Sequence, residues 1–409
     1  MSRYLLALTD AGGTVPPELG VARRLRSRGH RVTVLCDASM AAAAERTGAD
    51  VRTWSVAVAP FEDWRLRSPT ALARGMAEAM IAGPAAGHAR DTAAAVAEVS
   101  PDAVVASFVA VGAMIAAEAA GLPYAVLVPN VYSLPAPGLP PFGLGLPPAR
   151  GAPGRLRDRV LSDASTRMLG RYALEPLDGV RREHGLPPLA SVWGQHQRAQ
   201  RQLVLTAAAF DLPGELPGTA RYVGPVLDDP DWAAGEAWTP PPGEGPLVLV
   251  AMSSTFQDHV ACLQRVADAL AQAGVRGVVT TGPAVPPGAV RGSDRVQVLA
   301  AAPHAEVLPH AAAVVTHGGH GTVMKALAAG LPLVVLPHGR DQADNARRVA
   351  LRDAGVTLSR RASAARIARA VRRVLDDGRY RDAAARLGEA IRAEAATDTL
   401  EVELESLVG

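Results

Sequence analysis

Between Arg3 and Leu35 the chain passes through an apolar strand, a helix and a second apolar strand, and that order admits few folds. Arg3–Leu8 reads as the first strand. Pro17–Arg28 reads as a helix whose apolar positions are Leu19, Val21, Ala22 and Leu25, closed by Gly29-His30, and Arg31–Leu35 is the next strand. Two strands joined through a helix within about 35 residues form a βαβ unit, parallel and right-handed in its crossover. The alternation goes on: a helix over Ala41–Thr47, a strand over Val51–Trp54, a helical stretch over Ala71–Val99, a strand over Ala103–Ser107, a helix over Gly112–Ala120 and a strand over Tyr124–Val128. Such a sequence predicts an α/β fold with an open, doubly wound parallel sheet.

At 409 residues the chain has room for two such domains. Pro135–Gly154 contains seven prolines and five glycines and is expected to be irregular. Helices over Leu156–His184 and Ala190–Arg201 and a strand over Gln202–Thr206 follow, and Tyr222–Pro225 closes a first domain, 1–225. Residues 226–245, rich in proline, acid and glycine from Asp228 on, read as a linker. A second domain, 246–380, restarts the alternation with strands at Pro246–Ala251, Gly277–Thr280, Val296–Leu299, Ala311–Val315 and Pro332–Leu336. Helices are expected at Phe256–Ala273, Val323–Ala329, Gln342–Asp353 and Ala365–Asp376. A long amphipathic stretch, Arg381–Leu407, lies in a C-terminal segment, 381–409, with the length to cross back to the first domain.

The second domain carries the most chemical motif, Thr316-His317-Gly318-Gly319-His320-Gly321-Thr322, between a strand and a helix. Glycine lets a ligand approach the backbone, and a helix start offers unpaired N–H groups and a positive dipole, so the turn is suited to phosphate. Net charge is +2, from 42 basic and 40 acidic residues, and no basic run interleaves with aromatics, which argues against nucleic acid as a partner. Lys325 is the only lysine. Cys36 and Cys262 sit in apolar patterns and read as free thiols, too few for a zinc site. The apolar stretch Tyr4–Leu8 is too short for a signal peptide. The longest uncharged, mostly apolar run, Ala103–Ala117, contains Ser107 and Gly112 and falls short of a membrane span of about 18–20 residues, so a cytoplasmic protein is expected. Gly12-Gly13 is too sparse for a dinucleotide fingerprint. Asp229-Pro230-Asp231 matches an Asp-x-Asp metal motif only superficially, lying in the linker, and neither a metal ion nor a cofactor is expected.

Several blocks, in order and spacing, resemble the GT-B glycosyltransferases of family 1. Within that family the resemblance is to bacterial enzymes that glycosylate macrolides, polyketides and other natural products. The blocks are Arg28–Val34, Tyr222–Pro225, Met252–Gln257, Ala302-Pro303-His304, Thr316–Thr322, Pro337–Gln342 and Asn345. The resemblance implies two Rossmann-like domains facing a cleft. It also implies an inverting, metal-independent transfer of a hexose or deoxyhexose from a nucleoside-diphosphate sugar to a hydrophobic small-molecule acceptor. His317 then approaches the diphosphate, with Gly319, Gly321 and Thr322 adding donors. Ser253 and Thr255 contribute on the phosphate side, or simply cap the helix that follows. His304 is placed by the base and ribose, and Asp341 and Gln342 by the sugar hydroxyls. His320, at a position the family varies, is expected to be a solvated turn side chain. Phe142 on the proline-rich segment, with Trp54, Phe61 and Trp64, is expected to line the acceptor pocket.

Two departures stand out. Lys325 occupies the position at which many relatives carry a glutamate that binds the ribose hydroxyls, which favours dTDP over UDP. Lysine on a solvated helix face is the plainer reading. In the loop Gly12–Pro17, Thr14 stands where the family places its catalytic histidine, and Ser107 falls near the position of the supporting aspartate. Neither hydroxyl acts as a base near neutral pH. Asp10 is a substitute base if burial raises its pKa, and a loop cap otherwise. An acidic acceptor, or a proton passed through Thr14, would also serve. Two other functions fit the same motifs: a catalytically weak nucleotide-binding or auxiliary protein of this fold, and a nucleotide-sugar epimerase.

Overall fold

The apolar runs form strands buried on both faces, as a parallel sheet covered by helices requires. The computed structural model describes residues 1–56, 61–229, 233 and 238–409. Its first half runs β1 (Arg3–Ala7), α1 (Val15–Ser27), β2 (Arg31–Cys36), α2 (Ala41–Glu45), β3 (Asp50–Thr53), α3 (Pro69–Met76), α4 (Ala85–Val99), β4 (Ala103–Ser107), α5 (Val111–Ala119) and β5 (Tyr124–Val128). It continues with α6 (Gly151–Glu183), α7 (Gly194–Gln197), β6 (Arg201–Val204) and β7 (Ala220–Tyr222). The strands pair in parallel in the order β3-β2-β1-β4-β5-β6-β7. Every residue of β4 and β5 is buried.

The second half runs β8 (Leu247–Ala251), α8 (Val260–Ala273), β9 (Arg276–Thr280), β10 (Val296–Leu299), α9 (His304–Val307), β11 (Ala311–Thr316), α10 (His320–Ala328), β12 (Leu333–Val335) and α11 (Gln342–Leu351). Then come β13 (Gly355–Thr357), α12 (Ala364–Asp376), α13 (Gly378–Ala395) and α14 (Thr399–Glu405). Its strands form a second parallel sheet, β10-β9-β8-β11-β12-β13. Strand order reverses between β1 and β4 and between β8 and β11, and open α/β sheets bind ligands beyond the carboxyl ends at such points.

Several elements differ from the sequence expectation for local reasons. The stretch Ala71–Val99 is broken by a π turn at Ala77–Ile81 and by Gly83-Pro84. α6 starts at Gly151, because Pro153 falls in the first turn, where a missing N–H costs nothing. Of Ala190–Arg201 only Gly194–Gln197 is helical, and Arg201 instead pairs with Ala125. α8 begins at Val260 rather than Phe256, since Asp258 has φ +53°, a left-handed backbone that a helix cannot pass through. β7 and β13, three residues each, are too short to show a period. The C-terminal stretch is two helices. α13 packs on the second sheet through Ala384, Leu387 and Ile391, whereas Leu400 and Leu404 of α14 enter the core of the first. There the Tyr4 hydroxyl donates to the Leu404 carbonyl at 3.2 Å.

The two halves are fastened at the turn after β6. Asp211 is buried there, and its Oδ1 accepts from Arg348 Nε (2.9 Å) and Nη2 (2.6 Å) on α11. Its Oδ2 accepts from the Tyr132 N–H and the Tyr222 hydroxyl, each at 3.0 Å. Breaking a buried pair from one side strands the other charge, at about 3–5 kcal/mol. Asp211→Ala is therefore expected to lose about that much stability in denaturant unfolding at pH 7. A loss under about 1 kcal/mol would mean the pair does not hold the halves together.

Candidate active site

The glycine turn between β11 and α10 brings the backbone of the second domain to the cleft. Gly319 precedes α10 in an extended conformation, and no side chain caps the helix. Its first N–H groups, His320, Gly321 and Thr322, thus remain available to an anion at the positive end of the helix dipole. A Cβ at Gly321 would meet nothing within 4 Å, so the space in front is open. His317 is buried beside this turn. Burial, with His338 and His259 close by, pushes its pKa down to about 3, so the ring is neutral in the unliganded protein; the Ala251 carbonyl acts the other way. A Cβ at Gly319 would lie 2.6 Å from His317 Nε2, which explains why the residue there lacks one.

The loop after β8 meets the first domain. Ser253 Oγ accepts from the Thr255 N–H at 3.2 Å, a turn local to the loop. Because α8 starts five residues beyond Thr255, neither residue caps that helix. Thr255 Oγ1 accepts from Arg340 Nη1 at 3.1 Å, and the same guanidinium is bidentate to Asp63 of the first domain, at 3.0 Å on both oxygens. Gly12 (φ +75°) passes so close to Thr255 that a Cβ would fall 2.4 Å from its Cγ2. The two domains are in contact here, across the mouth of the cleft.

Asp341 and Gln342, adjacent in sequence, part company in space. Gln342 is buried, and its Oε1 accepts from the His338 and Gly339 N–H groups while its Nε2 donates to Gln257 Oε1 at 2.8 Å. It braces the loop, with its Oε1 and one Nε2 hydrogen engaged within the protein. Asp341 is half-buried. Asn345 Nδ2 bridges its Oδ2 (2.8 Å) and the Gly318 carbonyl (2.9 Å), fixing it beside the phosphate turn. Burial pushes the Asp341 pKa up to about 6.

His320 is not solvated: it is buried, and its Nε2 lies 2.8 Å from Thr206 Oγ1 of the first domain. Lys325 does not lie on a solvated face either. Its Nζ donates to Asp229 Oδ1 at 2.6 Å, with both side chains largely covered. Asp229 Oδ2 accepts from the Ala305 N–H, and Lys325 and Asp229 both act on the pKa of the neighbouring His304, which burial lowers to about 4. The start of the linker thus reaches the second-domain side of the cleft; Pro230 and Asp231 lie outside the described residues.

On the first-domain side Asp10 is exposed, and its carboxylate accepts from the Gly12 N–H (3.0 Å) and the Ser39 hydroxyl (2.7 Å). It is a loop cap, without the burial that a substitute base requires. Thr14 precedes α1, and its Oγ1 is buried with no hydrogen-bond partner. Trp54 belongs to the core, its Nε1 donating to the Leu8 carbonyl and its ring stacked on His88 at 4.2 Å, so it is not a pocket wall. Phe61 packs on α3 at Gly75 and Trp64 reaches Phe256 across the cleft. Phe142 is exposed on the proline-rich loop. Asp344 of α11 anchors that loop by accepting from the Gly145 N–H at 2.7 Å and from that of Gly143.

Asp63 and Glu18 escaped the sequence reading, Arg340 entered it only as part of the block Pro337–Gln342, and Asp229 only as a linker acid. Glu18 is fully buried, and its Oε1 accepts from the Ser107 hydroxyl at 2.6 Å. Its signal in the sequence was an acid four residues after Thr14, on the helix face that otherwise carries Leu19, Ala22 and Leu25.

Comparison with known proteins agrees with this architecture. Residues 267–407 match the family described as Erythromycin biosynthesis protein CIII-like, C-terminal domain. The whole chain is 33% identical over 425 aligned positions to 4'-demethylrebeccamycin synthase of Lentzea aerocolonigenes, covering 100% of both. Among solved structures, the glycotransferase of kitacinnamycin superposes with a TM-score of 0.78 at 22% identity, covering 99% of this chain and 98% of that one. The glycosyltransferase VinC in complex with dTDP superposes at 0.70 and 19%, covering 99% and 98%. The chain belongs to the bacterial natural-product glycosyltransferases of GT-B fold.

The packing at Gly319 makes a direct prediction. Gly319→Ala, at a backbone conformation that alanine tolerates, should force the His317 ring aside and lower stability by roughly 1–3 kcal/mol, the usual cost of overpacking. An unchanged melting temperature would show that the imidazole has room to spare.

Proposed function

We propose that the protein is an inverting, metal-independent glycosyltransferase. It moves a hexose or deoxyhexose from a nucleoside-diphosphate sugar, dTDP in preference to UDP, to a hydrophobic natural-product aglycone. The observation that carries this reading is the uncapped start of α10 beside His317, at the strand-order switch of the second sheet. The α10 amides hold the diphosphate. Its negative charge favours protonation of His317, which then donates to a phosphate oxygen as the leaving group gains charge. These donors do the work a cation does elsewhere. Asp341 accepts from a sugar hydroxyl. The acceptor lies on the first-domain side and attacks the anomeric carbon from the face opposite the diphosphate, so an α-linked donor gives a β-glycoside.

The dTDP preference has two supports. Lys325, held by Asp229, stands where relatives carry the ribose-binding glutamate, and a deoxyribose has no 2′-hydroxyl to lose. The structural neighbour VinC is solved with dTDP. The Arg340–Asp63 contact across the mouth of the cleft would help exclude water during transfer.

Thermal stabilisation by dTDP- and UDP-sugars, followed by turnover with the stabilising donor, tests the reading. dTDP-sugars should raise the melting temperature more than UDP-sugars. His317→Ala should lower kcat by about 100- to 1000-fold, the loss expected for one preorganised donor. Wild-type kinetics in that variant would remove the phosphate assignment, and an α-glycoside from an α-donor would refute inversion.

A further inference from the structure

We propose that Glu18, acting through the Thr14 hydroxyl, receives the proton that the acceptor gives up. This rests on the glycosyl-transfer reading above. It accounts for a site in which a threonine and a serine occupy the positions of the family's base and its partner. The carboxyl group is instead supplied from within α1, one helical turn after Thr14.

Three observations place it there. Oε1 is held by a chain of hydroxyls from the carboxyl ends of two strands: Thr9 Oγ1 donates to Ser107 Oγ at 3.3 Å, and Ser107 donates to Glu18 at 2.6 Å. Donation toward Glu18 suits its ionised form. Oε2 is buried with no partner at all. Thr14 Oγ1 is likewise buried and unpaired, and residues four apart share a helix face. A buried orphan oxygen destabilises a fold, and a leucine or methionine at position 18 would fill the same core without that penalty. A buried acid with one oxygen held and the other vacant is therefore costly to keep and suited to taking up a proton.

Burial pushes the Glu18 pKa up to about 8, with the Ser107 hydroxyl acting the other way, so the group gains and loses its proton near neutral pH. Its hydrogen-bonded neighbours are Ser107 of β4 and, through it, Thr9 just after β1, and Thr14 precedes it by one turn at the start of α1; none of them is charged. The nearby charged groups are engaged elsewhere: Asp10 by Ser39 and Gly12, and Arg23 by Asp228. In the reaction the acceptor oxygen bonds to the anomeric carbon as the bond from that carbon to the diphosphate oxygen breaks, its electron pair leaving on the diphosphate. The acceptor proton passes to Thr14 Oγ1, and the threonine's own proton passes to Glu18 Oε2. Solvent recovers it when product leaves. Because Glu18 acts through Thr14 and not on the acceptor itself, its role is to receive and position.

Glu18→Gln tests the assignment, since it keeps the shape and the acceptor oxygen for Ser107. kcat/KM is measured against pH for wild type and variant with a series of substituted phenols, alongside dTDP affinity by calorimetry and thermal midpoints from pH 5 to 9. In the wild type kcat/KM should rise with pH to a plateau above about 8. Glu18→Gln should bind dTDP as the wild type does and lose about 100- to 10,000-fold in rate. Its rising limb should move to the pKa of each phenol, which a structural role would not cause. Thr14→Val should reproduce that loss and Thr14→Ser should not. The folded-state pKa lies above the unfolded value, so folding takes up protons between the two. The wild type should accordingly lose stability as pH rises from about 4.5 to 8, and Glu18→Gln should lack that part of the loss. A variant with the wild-type rate and limb overturns the Glu18 assignment alone. Absence of transfer by the wild type with every donor and phenol overturns it together with the function it rests on.

Discussion

The buried pair of Asp211 and Arg348 sets the geometry on which everything else depends. Each parallel sheet leaves its ligand-binding edge at the carboxyl ends of its strands, and a transfer reaction needs two such edges face to face. Asp211 stands on the turn after β6 and Arg348 on α11, so their bond joins the two halves beside the edges that must meet. The turn is tied further: Glu394 of α13 accepts from the Ala208 and Ala209 N–H groups, and Thr206 meets His320. His320 is the first residue of α10. The helix start offered to phosphate is thereby positioned by a contact from the opposite domain, and not by its own sheet alone.

Around that helix start the site is poor in fixed charge. Burial keeps His317, His338 and His304 neutral, their pKa values lowered to between about 3 and 4. Arg340 is neutralised by Asp63, and Lys325 by Asp229. On the reading proposed above, an incoming diphosphate would meet dipoles and neutral rings, which need little reorganisation as charge shifts from sugar to diphosphate. On that reading it would also supply the counter-charge that lets His317 hold a second proton. In its absence burial, with His338 and His259 beside it, keeps the ring neutral.

The sequence was most informative where one element dictates a residue type. Strands buried on both faces need unbroken apolar runs, and β1, β2, β4, β5, β8 and β11 were all legible from them. The turn at His317 was legible from its glycines between a strand and a helix, and at Gly319 a Cβ would fall 2.6 Å from His317 Nε2. Legibility failed where a residue's role is set by a partner far away in the chain. Lys325 looked like a solvated helix residue because Asp229 lies 96 positions earlier. His320 looked like a turn side chain because Thr206 lies across the domain boundary. Trp54 was misplaced for a related reason: aromatics suit pockets and cores alike, and burial with the hydrogen bond to the Leu8 carbonyl decides for the core. Helix ends failed locally, at Asp258 and at Pro153, where a single backbone angle or a missing N–H moved the boundary.

Asp229 and Glu18 together suggest how such a site changes without losing its chemistry. Where the resemblance places a ribose-binding glutamate the chain has Lys325, which pairs with Asp229 at the start of the linker. At the acceptor position Thr14 and Ser107 stand in place of a histidine and an aspartate, and Glu18 has come from one turn further along α1. In each case a carboxyl group from another position in the chain lies beside the residue that departs from the family pattern. A fold whose strands and helix starts converge on one cleft allows this, because several backbone positions look onto the same region. On the reading proposed above, such a cleft requires a carboxyl group at a place, and more than one residue position can supply it.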